Sequence, residues 1–470
     1  QGDDLYFLFA EEPLLLDEDC YLSRTMGNAR LPKEVMDGVL LQFAGGSSGV
    51  LGNWHSHGFS RRGTRFSSVD DQDDRQLATW LAGPFSAMLA EHPRIGIQRK
   101  LSSLAFVMDH GGLAARLVLP DGRFVPVNTV DIVGSHLRRL HPYNAPKRSL
   151  LEVSDSQDRH RDFLSDNILR ELGGMRIGLV GAGGVGCLLS EGLARLGVGE
   201  LLIADQDKLD RSNLNRWLGA MPSMVGEYKA RLLAARLSVQ VPHCCVKALC
   251  QPLEQSLDVL RTCDVLVTAV DNDFARFQAN RLATQYLIPW FDSGTVILAG
   301  DDTLDFRHRV LSVYPGATAC IECTAFSVLS GEDVLLEMAD EALRSGRKEA
   351  GYVMDRPEVR SPSVIGLNFT VAGELLTEFI NYLSASRPAA TQIYARWRDN
   401  FRQRVAPDGY KDLPQAHCPA CGLRLGAAES EGLPRSGRAR QDIAKELSAW
   451  REARHHKLAE RMEQAAGAAY

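Results

Sequence analysis

Gly181-Ala182-Gly183-Gly184-Val185-Gly186 follows the apolar run Ile177-Gly178-Leu179-Val180 and opens a stretch with helical spacing. Glycines let a backbone approach a phosphate closely, and a helix N-terminus offers N–H groups and positive potential. Asp205 ends the next apolar run, 19 residues past Gly186, where a carboxylate can accept from a ribose hydroxyl. Alone, these residues form a dinucleotide fingerprint whose default reading is a nicotinamide oxidoreductase. The residues that follow shift that reading. Ser212-Asn213-Leu214-Asn215-Arg216 and Val225-Gly226-Glu227-Tyr228-Lys229 come next, then Val270-Asp271-Asn272 with Arg276 beyond it. Arg216 and Lys229 have no obvious work in hydride transfer, whereas arginine grips phosphate bidentately and lysine acts as a point charge. Asp207 caps the following turn or joins the site, and Cys187 reads as a small packing residue.

Two further groups suit metals. Cys320-Ile321-Glu322-Cys323 and Cys418-Pro419-Ala420-Cys421 are paired thiols that fit a tetrahedral structural zinc site. A redox role for the pairs is the weaker alternative. Near the other end, His55-Ser56-His57 closes an apolar strand and Ser67-Ser68-Val69-Asp70 follows. Alternating histidines on a strand end share one side, and a nearby aspartate can complete a three-ligand zinc site open to water.

Around these residues, short apolar strands and a helix near Pro32–Phe43 occupy residues 1–135. A basic, proline-containing connector at 136–154 follows, and a helix spans about Ser154–Leu172. Strands are predicted at Arg176–Val180, Glu200–Ala204, Asp264–Val270 and Pro289–Asp292. Helices are predicted near Gly186–Leu196, Met224–Val239 and Asp273–Tyr286. That alternation predicts α/β architecture, a doubly wound, mostly parallel sheet over 155–425, beside a smaller N-terminal α+β domain. A linker and a helix from Gln441 to about Ala466 complete the chain at 426–470.

Of the 470 residues, 45% are apolar and 24% charged, and the formal charge of −6 gives no global sign of nucleic-acid binding. No apolar run reaches the length of a membrane span, and the first residues lack a signal-peptide pattern. The chain begins at Gln1, so residues may precede it. Ten cysteines in a chain of this length are not a disulfide framework, which predicts a reducing cytoplasm.

The ordered motifs from Gly181 to Arg276 resemble the ThiF/MoeB-like superfamily, the adenylating domain of sulfur-carrier-activating and ubiquitin-activating enzymes. The resemblance covers roughly residues 155–425, and the cysteine pairs stand where that family places its structural zinc. It implies that Gly181, Gly183, Gly184 and Gly186 cradle ATP and that Asp205 takes the ribose. Arg216 and Lys229 would hold the phosphates, Asp271 would help bind Mg²⁺, and Asn213 and Arg276 would complete the pocket. The implied reaction is attack of a ubiquitin-like protein's C-terminal carboxylate on the α-phosphate, releasing pyrophosphate. A homodimer is implied too, with an arginine reaching across from the partner subunit, and a conjugating-type enzyme as a further partner.

Many relatives carry a crossover-loop cysteine that accepts the acyl group as a thioester. Here no cysteine lies between Cys323 and Cys418, and Val359 stands about where some relatives place the thiol. Direct transfer is the preferred reading; the alternatives are a thiol elsewhere (Cys244, Cys245, Cys250 or Cys263) or a replaced one.

His55, His57 and Asp70 resemble the JAMM (MPN/JAB) isopeptidase motif, with Ser67 as an oxyanion or water-orienting group. The resemblance covers roughly residues 1–135. The spacer from 58 to 66 is longer than that family's usual one. Asp4 heads the strand where a glutamate base is expected, with Glu11 and Glu12 at its other end. An active zinc peptidase, a degenerate docking domain and a fortuitous His-x-His all stay open.

The combined expectation is a JAMM-like domain fused to an adenylating domain, resembling a prokaryotic ubiquitin-like conjugation component. A sulfur-carrier or peptide adenylator, a catalytically dead scaffold and an oxidoreductase are its rivals.

Overall fold

The computed structural model describes residues 23–25, 28–30, 35–36, 38–40, 50–56, 64–91, 102–109, 112–143, 155–299, 304–323, 363–387, 392–398, 401–404, 413–415, 418–422 and 424–426. Asp4, Glu11, Glu12, His57, the crossover loop with Val359, and the helix expected at Gln441–Ala466 lie outside them.

The described residues fall into two compact units. The first runs to Asp131 and includes Arg139–Tyr143. Its strands are β1 (Ser23–Thr25), β2 (Asn28–Arg30), β3 (Val50–Ser56), β4 (Ser102–Asp109), β5 (Gly112–Val118) and β6 (Phe124–Pro126). A short antiparallel pair follows, β7 (Val130–Asp131) with β8 (Arg139–Leu140). Strands β3 to β6 form one sheet, in which β3 and β4 are parallel and the other neighbours antiparallel. Helix α1 (Ser68–Trp80) continues through a π-helical turn at Leu81–Phe85, which contains Pro84, into α2 (Ser86–Ala90). A proline lacks the N–H that a regular helix would use there, and the wider turn accommodates it.

The second unit takes Ile132–Arg138 and the described residues from Asp155 onward. The single helix expected at Ser154–Leu172 is in fact a 3₁₀ segment, Asp155–His160, followed by α3 (Asp166–Gly173). Ser165 restarts the helix as an N-cap, accepting from Ile168 N–H at 3.4 Å. Then come β9 (Arg176–Val180), α4 (Gly184–Leu196), β10 (Glu200–Ala204), α5 (Lys229–Gln240), β11 (Cys245–Leu249), α6 (Leu253–Leu260), β12 (Val265–Thr268), α7 (Asp273–Gln285), β13 (Trp290–Ala299), β14 (Leu304–Val313), α8 (Ile365–Ser384), β15 (Gln392–Arg398) and β16 (Phe401–Arg404).

The sheet order is β11-β10-β9-β12-β13-β14-β15-β16, parallel as far as β13 and antiparallel beyond it. Ile177, Leu179, Leu201, Ile203, Val265 and Val267 face one core, with Leu189 and Leu193 of α4, Leu233 and Leu237 of α5, and Leu375 and Phe379 of α8. Val180, Leu202 and Leu266 face the other, with Phe277 and Leu282 of α7 and Leu260 of α6. Cover on both faces explains why these strands read as continuous apolar runs, and why the sheet is doubly wound.

From β9 the chain steps outward through β10 to β11, then returns to the other side of β9 with β12 and β13. The order therefore reverses between β9 and β12. In open α/β sheets ligands bind beyond the strand ends at such a switch point.

Candidate nucleotide site and cysteine cluster

The glycine run occupies that switch point. Gly181 leaves β9 with φ +93, and a Cβ there would lie 2.5 Å from Ala269 O, just past β12. At Gly186 a Cβ would lie 1.9 Å from Gly181 O, so these two positions admit glycine only. A Cβ on Gly184 would meet the Asn368 amide at 2.4 Å, whereas one on Gly183 would meet nothing within 4 Å. Gly183 is the open lip of the loop. It is also the N-cap of α4 and supplies no side-chain cap, so the first N–H groups of the helix are left without a side-chain acceptor there.

Asp205, at the end of β10, accepts from Ala182 N–H at 2.6 Å and from Asp207 N–H at 2.7 Å. Burial pushes its carboxyl above the usual range, against the pull of those N–H groups and of Lys229. Asp207 ties this corner to the lysine. Its carbonyl accepts from Lys229 N–H at 2.9 Å, and its carboxylate takes Lys229 Nζ at 2.9 Å. Two turns of backbone pairing, Leu209 N–H to Glu227 O and Gly226 N–H to Leu209 O, hold Lys229 beside Asp205 although 24 positions separate them.

Asn213 and Asp210 form a reciprocal capping box over the 3₁₀ turn Arg211–Asn213. Arg216 follows, with Nη1 on Ser212 O and its Cδ 3.5 Å from the Cβ that Gly184 lacks. Asp271 is exposed between β12 and α7, beside Asn272, which caps α7 through Ala275 N–H at 2.9 Å. Arg276 turns inward instead. Its Nη2 donates to Val270 O, and its Nε lies 3.3 Å from the buried Asp292, which also holds Arg309 at 2.7 Å. It braces the ends of β12 and β13 behind Asp271.

Two residues outside the sequence expectations complete the loop. Trp217 is buried and donates its indole N–H to Ala182 O at 2.8 Å. Asn368, buried near the start of α8, backs Gly184. An amide on the apolar face of Ile365–Ser384 was the available signal for the second. Cys187 packs at zero exposure, with Leu218 N–H on its sulfur at 3.3 Å, and burial raises its pKa.

The other thiols divide by exposure. Cys244 and Cys263 are buried; desolvation pushes Cys244 up to about 12 and Cys263 further. Neither suits a nucleophile, which needs a partly exposed, electropositive setting. Cys245 is exposed on β11, and Cys250 is half-buried.

Cys320, Cys323, Cys418 and Cys421 converge, all buried, with their sulfurs within 4.8 Å of one another. The separations are 3.6 Å for Cys320–Cys418, 3.3 Å for Cys323–Cys421 and 3.9 Å for Cys320–Cys323. Four thiolates about 2.3 Å from one zinc ion would be spaced about 3.8 Å apart, so the donor set fits zinc. Gln415 N–H lies 3.4 Å from Cys323 Sγ, an outer-shell donor that would offset thiolate charge.

In the first unit Ser67 is the N-cap of α1. It accepts from Asp70 N–H at 3.2 Å, while Asp70 Oδ2 takes Ser67 N–H at 2.5 Å. The other Asp70 oxygen lies 3.1 Å from His55 Nε2, joining β3 to α1. Burial raises the Asp70 carboxyl, but hydrogen bonds from His55 and Ser67 outweigh it and hold it well below the carboxylate range. Buried Arg116 lies between the Phe66 and Phe124 rings and clamps α1 through Asp71 and Asp74, at 2.7 Å for the latter.

The second unit is thus a doubly wound α/β domain with a glycine loop, a strand-end carboxylate and cationic side chains at its switch point. The ThiF family matches residues 157–408, and the chain belongs to that family. It is 32% identical over 155 residues to the NEDD8-activating enzyme E1 catalytic subunit of Caenorhabditis elegans, covering 32% of this chain and 36% of that protein. It is 29% identical over 196 residues to ubiquitin-like modifier-activating enzyme 5 of Drosophila grimshawi, covering 38% and 48%. The chain therefore spans a third to a half of the length of these two relatives. Among solved structures, E. coli MccB aligns with a TM-score of 0.45 at 17% identity, over 60% of this chain and 76% of that one. Among the described residues, no helix is long and apolar enough to cross a membrane.

Proposed function

We propose that the second unit adenylates the C-terminal carboxylate of a ubiquitin-like protein. What supports this reading is that, at the switch point, Asp205 takes Ala182 N–H, Lys229 pairs with Asp207 two residues on, Arg216 approaches Gly184, and Asp271 directly follows the Ala269–Val270 segment packed on Gly181. A carboxylate oxygen of the tail attacks the α-phosphorus of ATP, the bond to the bridging oxygen breaks, and pyrophosphate leaves with that electron pair. Such a step asks the protein to position reactants and neutralise phosphate charge. Asp205 would take the ribose and Lys229 and Arg216 the phosphates, while Asp271 would hold a Mg²⁺ that neutralises phosphate charge. The relatives' names, NEDD8-activating and ubiquitin-like modifier-activating, favour a ubiquitin-like tail over a short peptide or a sulfur carrier. The burial of Cys244 and Cys263 removes two of the four alternative thiols, and the lack of any cysteine between Cys323 and Cys418 supports direct transfer of the adenylate, with Cys245 and Cys250 as the thiols that would still compete.

ATP–pyrophosphate exchange tests this. Exchange should require a ubiquitin-like protein ending in a free carboxylate and should drop about 10²-fold in Asp271→Ala. Exchange supported equally by a short peptide would move the substrate class, and ATP binding without any exchange would favour a scaffold.

We infer, secondly, a zinc site in the first unit from His55, His57 and Asp70, because β3 and α1 bring His55 and Asp70 within 3.1 Å. Elemental analysis should find about two zinc ions per chain, one of them lost in Asp70→Ala with the cysteine cluster still loaded. One zinc per chain in the wild type would leave the first unit as a docking domain.

A further inference from the structure

Trp217 stands directly after Arg216 in the loop that leaves β10, and its ring is 3% exposed. Its N–H does not go to a neighbour in sequence. It crosses to Ala182 O at 2.8 Å, inside the glycine loop. The same residue is held from the other side, since Ala182 N–H donates to Asp205 Oδ2 at 2.6 Å. Ala182 is therefore gripped at both of its polar groups, by the side chains of Asp205 and Trp217.

A peptide unit is planar and trans, so its C=O and N–H point in opposite directions. With Ala182 C=O drawn to the indole, the N–H of Gly183 in the same peptide plane must point away from Trp217. That is the residue where an added Cβ meets nothing within 4 Å, while Gly181, Gly184 and Gly186 are all crowded. Trp217 is itself anchored: its backbone N–H bonds Asn213 O at 2.9 Å, and the Arg236 guanidinium lies 5.4 Å from its ring. Arg216, one residue earlier, bonds Asn213 O through its own N–H at 3.0 Å.

We propose that Trp217 is a positioning residue that fixes the Ala182–Gly183 peptide plane, so that Gly183 N–H is aimed at the nucleotide's phosphates. This rests on the adenylating reading above and deepens it. The indole couples two phosphate donors that come from different segments, the Gly183 amide and the Arg216 guanidinium. Without it, Gly183 offers no Cβ to resist rotation of this plane, and only the Ala182 side of the peptide carries a side chain that hinders a flip. A donor aimed before the ligand arrives needs no reorganisation when it binds.

The test compares ATP with adenosine, which shares the base and ribose but carries no phosphate. Trp217→Phe keeps a buried aromatic ring and removes the N–H. Replacing Trp217 with 3-benzothienylalanine keeps the bicyclic shape and exchanges only N–H for sulfur. Calorimetric titration of the full chain should show ATP affinity about five- to tenfold weaker in both variants, with adenosine affinity unchanged. Exchange assays should show the ATP KM rising by a similar factor, with kcat falling less. Equal losses for ATP and adenosine would make Trp217 merely structural, and unchanged ATP affinity in the benzothienyl variant would overturn the proposal outright. A wild-type chain that binds adenosine as tightly as ATP would instead overturn the nucleotide-site reading beneath it. The two failures are thus distinguishable.

Discussion

Lys229→Ala should lower tail-dependent pyrophosphate exchange by about 10²–10³-fold while leaving thermal stability within about 1 °C. The lysine opens α5, and the backbone pairing of Asp207–Leu209 with Gly226–Lys229 puts it there without help from its side chain. Its Nζ bonds the Asp207 carboxylate, and although the lysine side chain is only 11% exposed, its partner is 62% exposed, so a pair open to water on that side adds little to folding. The expected catalytic loss is larger because, on the proposed reading, the charge would face a polyphosphate. A unit charge at about 4 Å is worth about 4 kcal/mol at an effective dielectric near 20, and each tenfold in rate is about 1.4 kcal/mol. Part of that is recovered by Arg216 and metal, which brings the expectation down to two or three decades. Arg216→Ala should cost a similar factor. The double variant should fall short of the product of the two, because both cations act on one polyphosphate. The measurement is initial exchange rate at saturating ATP and tail. A loss below about threefold in Lys229→Ala would remove the lysine from the site and leave Asp207 as a simple turn cap.

The central strands and the glycine loop were legible because burial on both faces writes strands as unbroken apolar runs. β9 and β10 fall where those runs lie, and Asp205 stands at the end of one of them. β11 was not legible. Its residues alternate in exposure and begin with the exposed Cys245, so no apolar run marks it. The antiparallel extension was missed because the β13–β14 hairpin carries Arg307, His308 and Arg309 through a strand. Arg309 is met by Asp292 and the His308 ring by Glu374, and sequence spacing does not show pairings across a sheet. The same limit applies to Trp217. A tryptophan beside Arg216 reads as packing, and its bond to Ala182 spans 35 positions. Arg276 shows the converse: its helical position next to Asp271 was clear, but the buried carboxylate that draws it inward was not.

The cysteine cluster carries the other large effect, on stability. Cys320 and Cys418 are 98 residues apart, so a bound ion would close a long loop and join the end of β14 to the segment after β16. Closing loops of this length in the unfolded chain costs several kcal/mol, and a structural ion recovers it on folding. The four sulfurs already lie within 4.8 Å of one another, and the Trp290 side of the sheet packs on Cys320, Ile321 and Ala420. Removing one thiolate therefore exposes the rest of a buried cluster to mutual repulsion or protonation. Cys421→Ser is expected to destabilise the second unit by about 3–5 kcal/mol, comparable with losing a native cross-link in a long loop. For a unit of this size that lowers Tm by about 10 °C. A strong zinc chelator should do the same to the second unit's transition in the wild type and nothing further to that transition in Cys421→Ser, since both empty the cysteine site. Loss of stability with reductant instead of chelator would replace the zinc with disulfides between the same pairs. No change with either would make the cluster a set of packed thiols, and the long loop would then be closed by the apolar contacts alone.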